Sequence, residues 1–183
     1  MVYLICGVSK SGKSLVGEEI AAKNRLSIFS TDWLMMTLAL NKSNNVNPAE
    51  NDDIVSANMH SFLFELISQI ISSGNNYVIE GVHITPELAN SLIAEYPESI
   101  KSCFLGYKNL TVQEKDSELQ QHKDKIKNTW FFDLNKNQYN DFLTEVIDRS
   151  KVIYEKCKKL NLKYFEITDI IQQKQDIINY LLN

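Results

Sequence analysis

Arginine, cysteine and proline are scarce: the 183 residues include two arginines, Arg25 and Arg149, with three cysteines and three prolines. Cys6, Cys103 and Cys157 are odd in number, far apart and set among apolar residues. That excludes a framework of paired disulfides and suits buried free thiols in a reducing compartment. No C-x-x-C pair or histidine-rich stretch exists to hold zinc. The opening MVYLICG has no basic region, and its apolar run is too short for a signal peptide or a membrane span, so a cytoplasmic protein with no membrane partner is expected. With 23 acidic and 19 basic side chains, the chain has a net charge of -4 and no global positive field to hold a polyanion. Nucleic acid is therefore not expected as a partner. Repeats and low-complexity linkers are absent, and 44% hydrophobic content suffices for one buried core, so residues 1–183 are read as a single domain.

Apolar runs of strand length alternate with segments of helical period. Val2 to Cys6, Leu26 to Ser30, Tyr77 to Gly81, Lys101 to Tyr107 and Lys163 to Ile167 read as five strands. Helices are expected from Ser14 to Asn24 and after Ser30, the latter with Thr31 or Asp32 at its cap. Another is expected from Asp53 to Ser73, where Met59, Phe62, Leu63, Leu66, Ile67, Ile70 and Ile71 share one face and Gly74 ends the run. Thr85-Pro86 opens a further helix, and Thr111 with Glu114 has the spacing of a capping box. The helix that follows Thr111 is polar, with thin apolar content, and is expected to run into DSELQQHKDKIKN at Asp116 to Asn128. A long amphipathic helix carries Phe142, Leu143, Val146, Ile147, Ile153, Tyr154 and Cys157, and DIINYLL closes the chain. Strands alternating with helices predict an α/β layer sandwich on a parallel sheet, with its ligand site at the carboxyl ends of the strands.

The strongest motif lies at the first such end. Gly7-Val8-Ser9-Lys10-Ser11-Gly12-Lys13-Ser14 fits G-x-x-x-x-G-K-[ST] between a predicted strand and a predicted helix. The glycines let successive backbone N–H groups curl around an anion, aided by the positive end of the next helix. Lys13 is expected on the β- and γ-phosphates, and the Ser14 hydroxyl on Mg²⁺. Ser9, Lys10, Ser11 and Leu15 complete the candidate nucleotide-binding set. A chain of this length matches the pattern by accident roughly once in a hundred or fewer.

Other candidates follow at the same sheet edge. Asp32 ends the second strand, where a carboxylate can orient an acceptor hydroxyl and take its proton; a plain helix cap is the alternative. Glu80 follows YVI as the acid of a Walker B strand does, where it would hold Mg²⁺ directly or through water, and His83 lies in the loop expected to face the acceptor. Arg149 has two readings, an exposed pair with Glu145 at i, i+4 or a guanidinium reaching the transferring phosphate. Lys123, Lys125 and Lys127 lie on a lid-like segment of about residues 108–136, and Trp130, Phe131 and Phe132 read as packing at its hinge.

GVSKSGKS, STD at Ser30 to Asp32 and EGVHITP at Glu80 to Pro86 together resemble the adenylate-kinase-like P-loop kinases, and most of all the small kinases related to 2-phosphoglycerate kinase. Zeta-toxin and chloramphenicol phosphotransferase relatives share the plan. The resemblance implies a three-layer fold with a five-stranded parallel sheet in the order 2-3-1-4-5 and a helical lid. It also implies ATP and Mg²⁺ at Lys13 and Ser14, Asp32 as acceptor base and Glu80 near metal or acceptor. Lids in these kinases usually present arginines, whereas the segment from Lys108 to Lys136 has only lysines, which cannot form the bidentate fork. The expected activity is ATP- and Mg-dependent transfer of a phosphoryl group to a hydroxyl or phosphate of a small metabolite. The alternatives are a nucleotide kinase, a regulatory nucleotide-binding module and a nucleic-acid end kinase. The last needs a basic groove that the sequence does not show. An N/T-K-x-D run is absent, which favours ATP over GTP.

Overall fold

The computed structural model describes residues 1–126 and 128–183; Lys127, one of the three lid lysines singled out above, lies outside the described residues. Five parallel strands, β1 (Val2–Gly7), β2 (Ser27–Ser30), β3 (Tyr77–Gly81), β4 (Ile100–Gly106) and β5 (Tyr164–Glu166), form one sheet in the order β2-β3-β1-β4-β5. This is the order that the resemblance implies.

Between the strands run α1 (Lys13–Asn24), α2 (Thr31–Ala39), α3 (Asp52–Ser72), α4 (Pro86–Glu95), α5 (Val112–Gln121) and α6 (Lys136–Leu160), and α7 (Ile170–Leu182) follows β5. Successive strand residues point to opposite faces, so β1 divides its side chains between two cores. Leu4 and Cys6 join Met59, Leu63 and Ile67 of α3, Leu88 and Leu92 of α4 and Val146 of α6 on one side. Ile5 joins Val16 and Ile20 of α1 and Ile177 and Leu181 of α7 on the other. Each fully buried aliphatic side chain contributes about 1.5–3 kcal/mol relative to exposure, so both faces of the sheet are strongly covered.

By length and composition α3 could cross a membrane. Its inner stripe of Val55, Met59, Leu63 and Ile67 is instead buried against the sheet, as in the core helix of a layered protein. Phe62, expected on that stripe, lies at its margin and is 38% exposed.

Local chemistry explains most helix ends. Thr85 accepts a hydrogen bond from the Leu88 N–H with Pro86 at the first turn, and Thr111 and Glu114 form the expected capping box. Asn51 caps α3 through the Asp53 N–H, and Asp169 caps α7, which begins well before the predicted DIINYLL. The polar helix α5 stops at Gln121 and gives way to short 3-10 turns at Lys123–Lys125 and Trp130–Asp133. Phe131 is buried there with Leu119 and Leu143, so this segment has a small apolar core of its own.

Candidate active site

The strand register collects the candidates. Glu80 pairs with Ile5 on one side and Ser30 on the other, which brings the ends of β1, β2 and β3 level. The loop after β1 then turns into α1 through Gly12, whose φ of 87° is left-handed. A side chain there would also collide with Ile170 of α7. Glycine is therefore demanded at Gly12 by both backbone and space.

Within the loop, the Lys13 ammonium donates to the Val8 carbonyl at 2.6 Å, and the Ser11 hydroxyl donates to the same oxygen at 2.8 Å. Lys13 is buried, and desolvation holds its pKa below the ordinary lysine value despite the carboxylates of Glu80, Asp32 and Asp52. The Ser14 hydroxyl donates to Glu80 Oε2 at 3.1 Å, so the loop serine and the strand-end acid meet as the motif requires. Both are hard oxygen donors, and a Mg²⁺ site of this type needs one or two protein oxygens, with phosphates and water completing it. Among the described residues no cluster of three or more His, Cys, Asp or Glu forms a separate metal cage.

Asp32 sits in the first turn of α2 without capping it; Ser30 occupies the cap position and makes no side-chain cap bond. This corrects the expectation of Thr31 or Asp32 as cap. Thr31 is fully buried, and its hydroxyl is hydrogen-bonded to His83 Nδ1 at 2.9 Å. A side chain on Gly81 would displace that hydroxyl. Asp32 Oδ1 lies 3.7 Å from the same ring nitrogen, and its carboxylate remains 59% exposed. His83 is buried, and desolvation lowers its pKa, which keeps the ring neutral near pH 7. The structure places His83 behind Asp32 rather than in the wall of the cleft.

Arg149 also departs from its expected surroundings. It is buried, and Glu145 accepts from Asn51 Nδ2 instead of pairing with it. The guanidinium donates to Asp53 and Asp52 at the start of α3 and to the Val82 carbonyl after β3. It thus fastens three segments near Lys13 and His83, and its charge disfavours the protonated form of each.

A cleft of about 240 Å³ runs along this edge. Ser9, Lys10, Gly12, Lys13, Ser14 and Leu15 of the loop line it, together with Asp32, Glu80 and Val82. Leu119, Ile126, Ile170 and Ile171 add apolar surface to the lining, beside Glu118, His122, Lys125 and Asn128. Of the remaining loop positions, Gly7 packs against the β4 backbone and Ser11 turns inward, away from the cleft.

Sequence spacing missed two residues that tie the loop to the lid segment. Lys115 is buried on α5, where it donates to the Lys10 carbonyl at 2.9 Å and to Glu118 at 2.8 Å and lies over the Tyr107 ring. The Tyr107 hydroxyl donates to the Ser9 carbonyl. A signal did exist for Lys115, because it precedes buried Leu119 by one helical turn and so occupies the inward face of a polar helix. Lys10, at a left-handed φ of 59°, reaches the Asn128 carbonyl at 2.9 Å and lies over Phe131. Burial and the charge of Lys13 lower its pKa to about 8. Of the described lid lysines, Lys125 lines the cleft and Lys123 lies over Phe132.

A shikimate kinase from Bacteroides thetaiotaomicron superimposes over 100% of this chain and 99% of its own, with a TM-score of 0.58 and 14% identity. The fold is that of the P-loop small-molecule kinases. A sugar kinase from Janibacter sp. HTCC2649 is similar over 97% of this chain and 90% of its own, with a TM-score of 0.58 and 15% identity. A gluconokinase from Sinorhizobium meliloti 1021 gives 99% and 89%, a TM-score of 0.53 and 18% identity. At these identities the likeness establishes the shared fold, without singling out the 2-phosphoglycerate kinase or zeta-toxin relatives. No family model matches the chain, and no curated protein matches its sequence.

Proposed function

We propose that this protein is an ATP- and Mg-dependent phosphotransferase acting on a small metabolite. The observation that carries the reading is the contact between the Ser14 hydroxyl and Glu80, with Lys13 and the exposed Asp32 carboxylate lining the same cleft. A bare nucleotide-binding loop does not require Asp32, and the kinase fold of the structural neighbours agrees with its presence.

In this reading the apolar lining of Ile126, Ile170 and Ile171 takes the base, and the loop N–H groups and Lys13 take the phosphates. Ser14 and Glu80 would hold Mg²⁺, which when bound offsets the charge of the β- and γ-oxygens. Lys13 leaves the Val8 carbonyl for a phosphate oxygen, where its positive charge is stabilised. Asp32 orients the acceptor hydroxyl. As the hydroxyl oxygen bonds to the γ-phosphorus, its proton passes to Asp32 and the bond to the β-phosphate oxygen breaks, releasing ADP. His83 and Thr31 position Asp32 from behind. Arg149 anchors the turn after β3, and the lid segment from 108 to 136 excludes water.

The test is transfer of label from [γ-³²P]ATP to pooled hydroxyl compounds in the presence of Mg²⁺. Wild type should yield an acceptor-dependent product and Lys13→Met none. Tight Mg·ATP binding without transfer to any acceptor would instead indicate a regulatory nucleotide-binding module.

A further inference from the structure

Backbone strain marks a second lysine of the loop after β1. Lys10 has a φ of 59°, in the left-handed region that L side chains rarely adopt and glycine takes freely. Gly12 shows that the same loop uses glycine where such a φ is needed. Position 10 instead carries a long cation at a backbone cost, and a cost of this kind in a binding loop points to a use for the side chain.

Two contacts fasten that side chain to the lid segment. Its ammonium donates to the Asn128 carbonyl at 2.9 Å and lies 4.6 Å from the centre of the Phe131 ring. Phe131 is fully buried with Leu119 and Leu143, which makes its ring a fixed platform. Lys10 also lines the cleft with Lys13 and Asp32. Burial and then the charge of Lys13 press its pKa down while Asp32 raises it, so the three charges act on one another. An ammonium has three N–H donors, and the Asn128 carbonyl takes one, leaving donors for a phosphate oxygen while the tether holds.

In the phosphotransferase reading the γ-phosphate lies among Lys13, Ser14 and Asp32, and its transfer spreads negative charge over three oxygens. Among the described residues no arginine lines the cleft, and the lysines that line it are Lys10, Lys13 and Lys125. Lys125 lies exposed on the 3-10 turn after α5, whereas Lys10 is held by its two partners within the field of Lys13. Resting on that reading, we propose that Lys10 is the second cation on the γ-phosphate, and that its hold on Asn128 and Phe131 makes it a clasp that closes the lid segment over ATP but not over ADP. A hydrogen bond from lysine to phosphate of this kind contributes about 10- to 100-fold in affinity.

Calorimetry with Mg·AMP-PNP and Mg·ADP on wild type, Lys10→Met and Lys10→Gly tests the contact, with thermal melts to confirm folding. The glycine variant removes the side chain and relieves the backbone together. Both variants should lower the ratio of AMP-PNP to ADP affinity by about tenfold or more, with ADP affinity changed by less than about threefold. A lysine with a structural role alone would weaken both nucleotides alike. Equal losses, or an unchanged ratio in the folded variants, would therefore overturn the proposal while leaving nucleotide binding, and with it the kinase reading, intact.

Binding of neither nucleotide by wild type would refute the kinase reading itself, and this proposal with it. Amide hydrogen exchange over residues 128–134 reads the clasp. AMP-PNP should slow that exchange more than ADP does in wild type, and the difference should vanish in Lys10→Met. Equal slowing by the two nucleotides in wild type, or a difference that survives in Lys10→Met, would overturn the clasp.

Discussion

Replacing Lys13 with Met should make the nucleotide-free protein more stable while removing its ability to bind ATP. The ammonium is buried and, among the described residues, donates to a single acceptor, the Val8 carbonyl. Desolvating an ion costs several kcal/mol, whereas a hydrogen bond from a charged donor returns about 1.5–3 kcal/mol. The downward shift of the Lys13 pKa shows that burial outweighs the attraction of Glu80, Asp32 and Asp52. Methionine fills nearly the same volume without the charge, so a gain of about 1–2 kcal/mol is expected, which for a domain of this size raises Tm by roughly 3–6 °C. The pH dependence supplies a sign check. With the folded pKa below the unfolded one, the penalty is fully present below the folded value and fades as pH rises to the unfolded value near 10.4. The advantage of the variant should therefore shrink in alkali. Urea titration without nucleotide gives the stabilities. Mg·ATP at about 100 times its Kd should then add about 2.7 kcal/mol to wild type and nothing to the variant. A variant less stable than wild type by 1 kcal/mol or more would refute the view of Lys13 as a strained, waiting charge.

Lys115→Met should have the opposite effect on stability. It strands the Lys10 carbonyl and partly buried Glu118, so a loss of about 2–4 kcal/mol in urea titration is expected, together with weaker ATP binding. Lys10, with its pKa lowered to about 8, should lose its charge as pH rises through that value, and ATP affinity should fall with it. Calorimetry from pH 7 to 9.5 should show that fall in wild type and a flatter profile in Lys10→Met; identical profiles would remove Lys10 from the phosphate site.

Much of the fold was legible because its signals are local. The Thr85-Pro86 start and the Thr111–Glu114 capping box appear where the sequence predicts them, and strands alternate with helices as expected, but α5 ends at Gln121, short of the expected run to Asn128, and α7 begins before DIINYLL. The phosphate-type loop was equally legible, since strand, glycines and helix lie within one short stretch. What escaped depends on partners distant in sequence. The Thr31 hydroxyl is hydrogen-bonded to His83, 52 residues on, and Ser30 takes the cap position. Arg149 has Glu145 at ideal helical spacing, yet it meets Asp52 and Asp53, 97 and 96 residues away, because the packing of α6 beside the start of α3 overrides a solvated helix pair. Lys115 reads as one more polar residue of α5 until the loop after β1 is placed against it.

The most direct measurement is the rate of phosphoryl transfer in Asp32→Asn relative to wild type, with ATP affinity determined on the same samples. Asparagine keeps the shape of the side chain and removes its capacity to accept a proton. Asp32 lines the cleft, so kcat should fall by about 10² to 10⁴ while ATP affinity changes little. Unchanged kcat in Asp32→Asn would contradict the assignment of this carboxylate as the acceptor base.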